Sequence, residues 1–117
     1  MKKTVKMKWA RFYREEFIEI PKAEVLPIPG AEDITVLVFK CPYSSPKYPA
    51  WYALDAASGL TLGGSTPTRE VVVQRTLRWF AGEDGRATPE ERKEEFLRLS
   101  AMAIQRNGGC RLPITVN

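Results

Sequence analysis

The four residues Thr88-Pro89-Glu90-Glu91 constrain the fold of this chain more than any other part of its sequence. A threonine followed three positions later by a glutamate is typical of a capping box, in which each side chain accepts a hydrogen bond from the other residue's backbone N–H. Proline is favoured at the first helical position, where its missing N–H costs nothing. The following residues share one broad helical face: Phe96, Leu97, Leu99, Ser100, Ala103 and Ile104. We therefore predict a helix from Pro89 to the Gly108-Gly109 pair, packed through that face.

A second amphipathic helix is predicted directly upstream. Ser65 and Thr66 offer capping hydroxyls before Pro67, and Gly82 is a natural C-cap. One side of the helical wheel carries apolar residues and one threonine: Val72, Val73, Thr76, Leu77, Trp79 and Phe80. The other side is polar: Gln74, Arg75 and Arg78. We predict a helix from Pro67 to Ala81 with its apolar side against a sheet.

The middle of the chain predicts β-structure. Residues 34–39 are apolar and rich in β-branched side chains, and residues 51–55 form a second candidate strand. Ala57-Ser58-Gly59 is typical of a hairpin turn leading into residues 60–62. An antiparallel meander is the expected arrangement, because short connections join antiparallel neighbours.

The N-terminal segment has two interpretations. Val5 and Met7 alternate with lysines, which favours a strand, whereas the aromatic residues between Trp9 and Tyr13, together with Ile20, suit one face of a helix. We predict strands with an irregular middle.

The expected fold class is α+β, with an antiparallel sheet of three to five strands packed against the two C-terminal helices in one domain over residues 1–117. Sheet and helices are expected to share one core with the following members: Val36, Val38, Leu54, Val73, Leu77 and Phe80.

Nothing in the sequence forms a recognisable catalytic or metal-binding set. The chain has no histidine and two cysteines, so it lacks both a zinc ligand set and the usual general base for a cysteine nucleophile. Cys41 and Cys110 are expected to be reduced thiols. Asp55 and Glu70 are the only acids near the predicted junction of sheet and helix, and as a carboxylate pair they support one alternative, a small enzyme. We expect a protein that is not an enzyme and needs no metal or cofactor.

The expected location is the cytoplasm, with no membrane association. No stretch approaches the roughly 18 apolar residues of a membrane span, and the basic start Met1-Lys2-Lys3 is not followed by the apolar run of a signal peptide.

The stretch from Cys41 to Tyr52 combines prolines with aromatic side chains. Prolines stiffen a loop, and tyrosine or tryptophan on a pre-organised loop adds contact area at low entropic cost. The residues expected to bind a partner protein are Tyr43, Lys47, Tyr48 and Trp51. In the alternative interpretation, Trp51 and Tyr52 pack on either side of a strand and the prolines only form a connection.

Positive charge is concentrated at the N-terminus. Residues 1–14 hold six basic residues and no acid, whereas the whole chain has a net charge of +4. Basic residues interleaved with aromatic rings are typical of nucleic-acid binding, since rings stack on bases and cations neutralise phosphates. A nucleic-acid-binding module is therefore the alternative function, with these candidate residues: Lys6, Lys8, Arg11, Arg14, Arg75 and Arg78. No helix-turn-helix, RNA-recognition or KH signature accompanies them.

One stretch resembles a known family. Residues 51–55, reading Trp-Tyr-Ala-Leu-Asp, and residues 58–66, reading Ser-Gly-Leu-Thr-Leu-Gly-Gly-Ser-Thr before a helix, resemble the strand–glycine–threonine–helix part of HicB-type antitoxin domains. The resemblance covers less than a quarter of the chain and implies a small α+β protein that binds a toxin. The long second helix and the lack of a DNA-binding appendage depart from that pattern.

The expected function is therefore that of a small protein-binding regulator or inhibitor, of the kind that bacteria, plasmids and phages encode as short open reading frames. The loop over residues 42–49 is the expected main contact, and residues 63–66 are a second candidate rim.

Overall fold

The computed structural model describes residues 2–7, 18–62, 65–106 and 114–116, without the side chains of residues 2–7, 18–19, 21 and 114–116. Within these ranges the chain forms the following strands and helices: β1 Lys2–Met7, β2 Ile18–Leu26, β3 Val36–Lys40, β4 Trp51–Asp55, α1 Arg69–Ala81, α2 Pro89–Arg106 and β5 Ile114–Val116.

The strands form one antiparallel sheet in the order β4-β3-β2-β1-β5. β1 to β4 are neighbours in chain order, and β5 returns to pair with β1. Lys40 lies opposite Trp51, so the connection between β3 and β4 closes a hairpin at one end of the sheet. The predicted α+β fold is confirmed, and strands are present on both sides of the N-terminal middle segment, residues 8–17, which lies outside the described residues.

β2 contains a bulge at Pro21-Lys22. Lys3 pairs with Ala23 and Val5 pairs with Ile20, so two residues of β2 lie opposite one residue of β1. Lys22 adopts a φ of 57°, in the left-handed region. A bulge also accommodates a proline inside a strand, since the ladder is interrupted there.

The sheet buries apolar side chains on both faces. On the face covered by the helices, the helix-side cluster comprises Ile28, Ala31, Ile34, Val36, Val38, Ala53, Val72, Phe80 and Phe96. On the other face, the far-side cluster comprises Ile20, Ala23, Leu37, Phe39, Cys41, Tyr52, Leu54 and Ala56. Neighbouring residues of a strand point to opposite faces. Five of the six predicted core residues therefore lie in or against the helix-side cluster, and the prediction is wrong for Leu54, which lies on the far side of the sheet from Val36 and Val38.

The free edge of β4 is partly covered by the chain that follows it. Trp51 and Thr66 exchange backbone hydrogen bonds of 2.7 and 3.1 Å, and the Leu62 N–H donates to the Ala53 carbonyl at 2.8 Å. The predicted turn over residues 57–59 does lead into paired chain, but the pairing consists of isolated bridges and not of a regular strand.

Helix α1 begins at Arg69, two residues after the predicted start. Its N-cap is Thr68, whose hydroxyl accepts a hydrogen bond from the Val71 N–H. The Thr66 hydroxyl donates to the Thr68 carbonyl at 2.8 Å, and Pro67 precedes the helix. The C-cap Gly82 is confirmed, with a φ of 68° and its N–H bonded to the carbonyls of Arg78 and Trp79.

The capping box of α2 is confirmed. The Thr88 N–H donates to Glu91 Oε1 at 3.1 Å, and the Glu91 N–H donates to Thr88 Oγ1 at 3.2 Å. Phe96, Ser100 and Ala103 are buried as predicted, whereas Leu97 is exposed. The predicted end at Gly108-Gly109 lies outside the described residues.

Arg92 of α2 is buried, although the sequence predicted no buried charge on this helix. Its Nη2 donates to both carboxylate oxygens of Asp84, at 3.0 and 2.8 Å, and its guanidinium lies 4.9 Å from the ring centre of Trp79. The buried face of α2 therefore includes a cation that binds the α1–α2 connection.

Among the described helices, neither is both long and apolar enough to cross a membrane.

Candidate functional site: the loop between β3 and β4

The loop between β3 and β4 is tied into a defined shape by its own hydrogen bonds. The Cys41 N–H donates to the Ala50 carbonyl at 2.8 Å, which closes the loop at its base. The Cys41 carbonyl accepts bonds from both the N–H and the hydroxyl of Ser44, at 3.1 and 2.8 Å. Near the tip, the Tyr48 N–H donates to the carbonyl and the hydroxyl of Ser45, at 3.1 and 3.0 Å. Together with the prolines, these bonds pre-organise the loop.

Two tyrosines project from this loop. Tyr43 is 62 % exposed and Tyr48 is 71 % exposed, the highest values among the large hydrophobic side chains of the described chain. The Lys47 Nζ lies 5.6 Å from the ring centre of Tyr48, within the range of a cation–π interaction. Three of the four residues predicted to bind a partner therefore lie together at the surface.

Trp51, the fourth predicted contact, lies elsewhere. It is half-buried against the helix-side cluster, at the start of β4. Tyr52 is buried on the opposite face, where its ring stacks on Phe39 with 6.3 Å between centroids. The alternative interpretation of this Trp-Tyr pair, one ring packed on each side of a strand, is the arrangement that the structure shows.

Two further lysines belong to the same end of the sheet. Lys40 is the last residue of β3 and is exposed. Lys22 is also exposed, and because β2 runs antiparallel to β3 with Glu24 opposite Val38, Lys22 lies towards the same end. Sequence patterns singled out neither lysine. Strand pairing brings Lys22 towards the loop, whereas Lys40 directly precedes Cys41 in the chain. The lysine–tyrosine surface is formed by Lys22, Lys40, Tyr43, Lys47 and Tyr48.

Two acids whose side chains are described, Glu24 and Glu70, are bound to Arg69 at the start of α1. Arg69 Nε donates to Glu24 Oε2 at 2.7 Å and Nη2 donates to Glu24 Oε1 at 2.9 Å, while Nη1 lies 3.0 Å from Glu70 Oε1. The hydrogen bond to Glu24, ahead of the charge interactions, raises the pKa of Arg69 above its usual value. Both carboxylates therefore have a cationic partner within their own chain.

The residues predicted for nucleic-acid binding are mostly not described. Lys8, Arg11 and Arg14 lie outside the described residues, and Lys6 is placed only as a backbone position of β1, opposite Glu19. Arg75 and Arg78 are exposed on α1, and Arg78 Nε lies 3.5 Å from Glu83 Oε2.

Asp55 and Glu70 have different environments. Asp55 Oδ2 accepts hydrogen bonds from the hydroxyls of Ser58 and Ser100, at 2.7 and 2.6 Å, and is buried. Glu70 is exposed and forms its ion pair with Arg69. The structure therefore places Asp55 as a link between the turn after β4 and helix α2, and it shows no carboxylate pair of the kind the small-enzyme alternative requires.

A cleft of about 400 Å³ lies between α1, α2 and the chain that covers β4. Its walls are mainly apolar: Leu60, Leu62, Trp79, Phe80, Phe96 and Leu99. Arg75 and Glu95 lie at its rim. No group of three or more metal-binding side chains occurs within the described residues.

Comparison with known proteins finds no match: no protein-family model, no curated protein and no solved structure is significantly similar to this chain. The resemblance to HicB-type antitoxin domains therefore rests on the strand-to-helix stretch alone.

Proposed function

We propose that this protein is a non-enzymatic regulator or inhibitor that binds a partner protein through the loop between β3 and β4. One observation carries the proposal: two tyrosines with the highest exposure among the large hydrophobic side chains described lie on a loop held by its own hydrogen bonds. Exposed aromatic side chains on a rigid support are the typical anchors of protein interfaces, because little entropy is lost when they are buried.

The composition of the loop supports a protein partner. A tyrosine contributes a large apolar ring and a hydroxyl that stays hydrogen-bonded when the ring is buried. Tyr43 and Tyr48 are separated by Ser44-Ser45-Pro46-Lys47, so they are presented from one short, stiff segment. An interface with these two rings at its centre and lysines at its rim has the usual arrangement of a hydrophobic core and a polar periphery.

A capture experiment with purified, tagged protein tests the proposal. The double variant Tyr43→Ala/Tyr48→Ala should fail to retain a partner that the wild-type protein retains from cell extract. The matched control is Leu97→Ala/Met102→Ala, which removes two large exposed side chains from α2 and should retain the same partner.

Stability must be measured alongside capture. Because both tyrosines are exposed, we expect the double variant to lose no more than about 1 kcal/mol of unfolding free energy. A much larger loss would show that the tyrosines support the fold, and equal retention by wild type and tyrosine variant would remove the loop as the contact.

We further propose that the protein acts in the cytoplasm. Cys41 is a buried free thiol, which is the usual state of a cysteine in a reducing compartment.

A further inference from the structure

The lysine–tyrosine surface carries positive charge that is not neutralised within the described chain. Lys22, Lys40 and Lys47 are exposed, and none of them forms an ion pair there. The sequence from Ile34 to Leu54 contains two lysines and no acid. Since Glu24 and Glu70 already pair with Arg69, no carboxylate of the described side chains neutralises the lysines of this surface.

We propose that the partner bound at this surface is an acidic polypeptide segment, whose carboxylates lie against Lys40 and Lys47 while the rings of Tyr43 and Tyr48 cover its apolar atoms. This inference rests on the proposed function, because it names the chemistry of the partner for the same loop. Complementary charge around an aromatic centre speeds the encounter and selects against basic partners.

The position of Lys47 favours carboxylates over nucleobases. Its ammonium lies over the ring of Tyr48 at 5.6 Å, so one face of that ring is already occupied by a cation. Single-stranded nucleic acids instead need open ring faces along a groove that follows the phosphate backbone. The cleft between α1 and α2 is lined by other residues, and Tyr43, Lys47 and Tyr48 are exposed.

The described cations of this surface without an ion pair are three lysines, and the arginine at the same end, Arg69, is held by Glu24 and Glu70. A lysine ammonium is a point charge that either a carboxylate or a phosphate can satisfy. The test of the proposal therefore compares an acidic polypeptide with a nucleic acid.

A second copy of this chain is the other acidic occupant to consider. Helix α2 presents four exposed glutamates over its first two turns: Glu90, Glu91, Glu94 and Glu95. The test therefore includes sedimentation of the protein alone over a range of concentrations. Self-association that Lys40→Glu/Lys47→Glu abolishes would overturn the proposal of a separate partner.

The experiment uses fluorescently labelled poly-L-glutamate and a single-stranded oligothymidylate as probes, with binding followed by anisotropy. The full chain is compared with the variant Lys40→Glu/Lys47→Glu. The control variant is Arg75→Glu/Arg78→Glu, which changes the net charge by the same amount. Both arginines lie on α1, which contributes no residue to the lysine–tyrosine surface. Salt is varied from about 25 to about 250 mM, because exposed charge pairs weaken as screening increases.

We expect wild-type protein to bind poly-L-glutamate at low salt and to release it as salt rises. The lysine variant should bind at least about tenfold more weakly, and the arginine control should change by less than about threefold, since only the lysines face the polymer. Equal losses in the two variants, or no binding at the lowest salt, would overturn the inference. Tighter binding of oligothymidylate with the same dependence on Lys40 and Lys47 would overturn it in favour of nucleic acid.

The capture experiment separates this inference from the function on which it rests. If the tyrosine variant loses the captured partner and the lysine variant keeps it, the loop is the contact but its partner is not chosen by charge, and the acidic-segment proposal fails alone. If both variants keep the partner, both proposals fail.

Discussion

Lys22 adopts a backbone conformation that a lysine rarely adopts. Its φ of 57° places it in the left-handed region, which costs an L-residue with a side chain roughly 1–2 kcal/mol. The bulge in β2 fixes this conformation, because two residues must fit opposite one residue of β1.

Replacing Lys22 by glycine should therefore stabilise the protein. Glycine removes the left-handed strain but gains freedom in the unfolded chain, so we expect a net gain of at most about 1 kcal/mol in urea unfolding. The control is Lys40→Gly, at an exposed strand position with no left-handed φ, and this change should destabilise. A loss of stability in Lys22→Gly would show that the lysine side chain contributes more than its backbone costs.

Asp55 should contribute strongly to stability through its two serine partners. Asp55→Ala leaves the buried hydroxyls of Ser58 and Ser100 without their acceptor, and we expect a loss of about 3 kcal/mol in unfolding free energy. Ser100→Ala removes one hydroxyl together with its bond and should cost only about 1 kcal/mol. Chemical denaturation of both variants and of the double variant measures the coupling, and additive losses would contradict the proposed link.

At the level of single residues, the sequence predicted which side chains of the loop are exposed. It did not predict which residues from other elements lie beside them. Tyr43, Lys47 and Tyr48 followed from proline and aromatic composition alone. The position of Lys22 near the loop depends on strand register, which no local pattern specifies. Arg92 was missed because a charged residue is normally expected at the surface, and its burial depends on Asp84 and Trp79.

The connection between α1 and α2 contains two glycines with similar backbone angles and different surroundings. Gly82 has a φ of +68°, and a Cβ there would collide with the Ala87 carbonyl oxygen, whereas Gly85, at +74°, has open space around it. Gly82→Ala should lower unfolding free energy by more than about 3 kcal/mol, and Gly85→Ala by about 1 kcal/mol, the cost of the left-handed conformation alone. Equal effects in thermal unfolding would mean that the connection shifts to accept the methyl group.

Two carboxyl groups, Asp84 in the same connection and Asp33 between β2 and β3, should make stability sensitive to acid. The pKa of Asp84 is lowered, first by the hydrogen bond from the Arg86 backbone N–H and then by Arg92. The pKa of Asp33 is lowered chiefly by its hydrogen bond with Lys93. A carboxyl group with a lowered pKa in the folded state stabilises the fold above its unfolded pKa and loses that contribution as pH falls. Unfolding free energy should therefore fall below about pH 4, and by less in Asp84→Asn. An identical acid dependence in that variant would exclude Asp84 as a cause.

At the level of elements, sequence patterns succeeded where the signal is local. The capping box and the C-terminal Gly82 define helix ends by bonds within a few residues, and both are confirmed. The start of α1 was placed two residues early because Ser65, Thr66 and Thr68 are all potential caps. The structure uses Thr68, since Thr66 is held by its pairing with Trp51.

Across the whole molecule, the sheet has a buried cluster on each face. Phe39 belongs to the far-side cluster and Phe96 to the helix-side cluster, and both are almost fully buried. Because β3 and β4 contribute to both clusters, we expect one cooperative unfolding transition.

Removing either ring should shift that single transition. Phe39→Ala and Phe96→Ala should each lose about 3–5 kcal/mol, as measured by urea unfolding with both tryptophan fluorescence and circular dichroism. Two separate transitions in either variant would show that the clusters unfold independently.

The two-sided burial explains why the global arrangement was only partly predictable. The runs Val36-Leu37-Val38-Phe39 and Tyr52-Ala53-Leu54 are continuously apolar, which fits a strand covered on both faces. Such a run predicts burial but does not say which residues share a face with which helix. The assignment of Leu54 and Val36 to one core failed for that reason.

The topology also fixes how the protein can be attached to a solid support. β1 and β3 run in the same direction, because both are antiparallel to β2. The hairpin loop that carries Tyr43 and Tyr48 follows the end of β3, so the start of β1 faces away from that loop. Val116, in contrast, pairs with Thr4 opposite the bulge at Pro21-Lys22, so β5 ends in the row of the sheet that contains Lys22 and Lys40. A sensor chip should therefore anchor the chain before β1, whereas random coupling through amines would consume Lys40 and Lys47 and block the contact that it is meant to report.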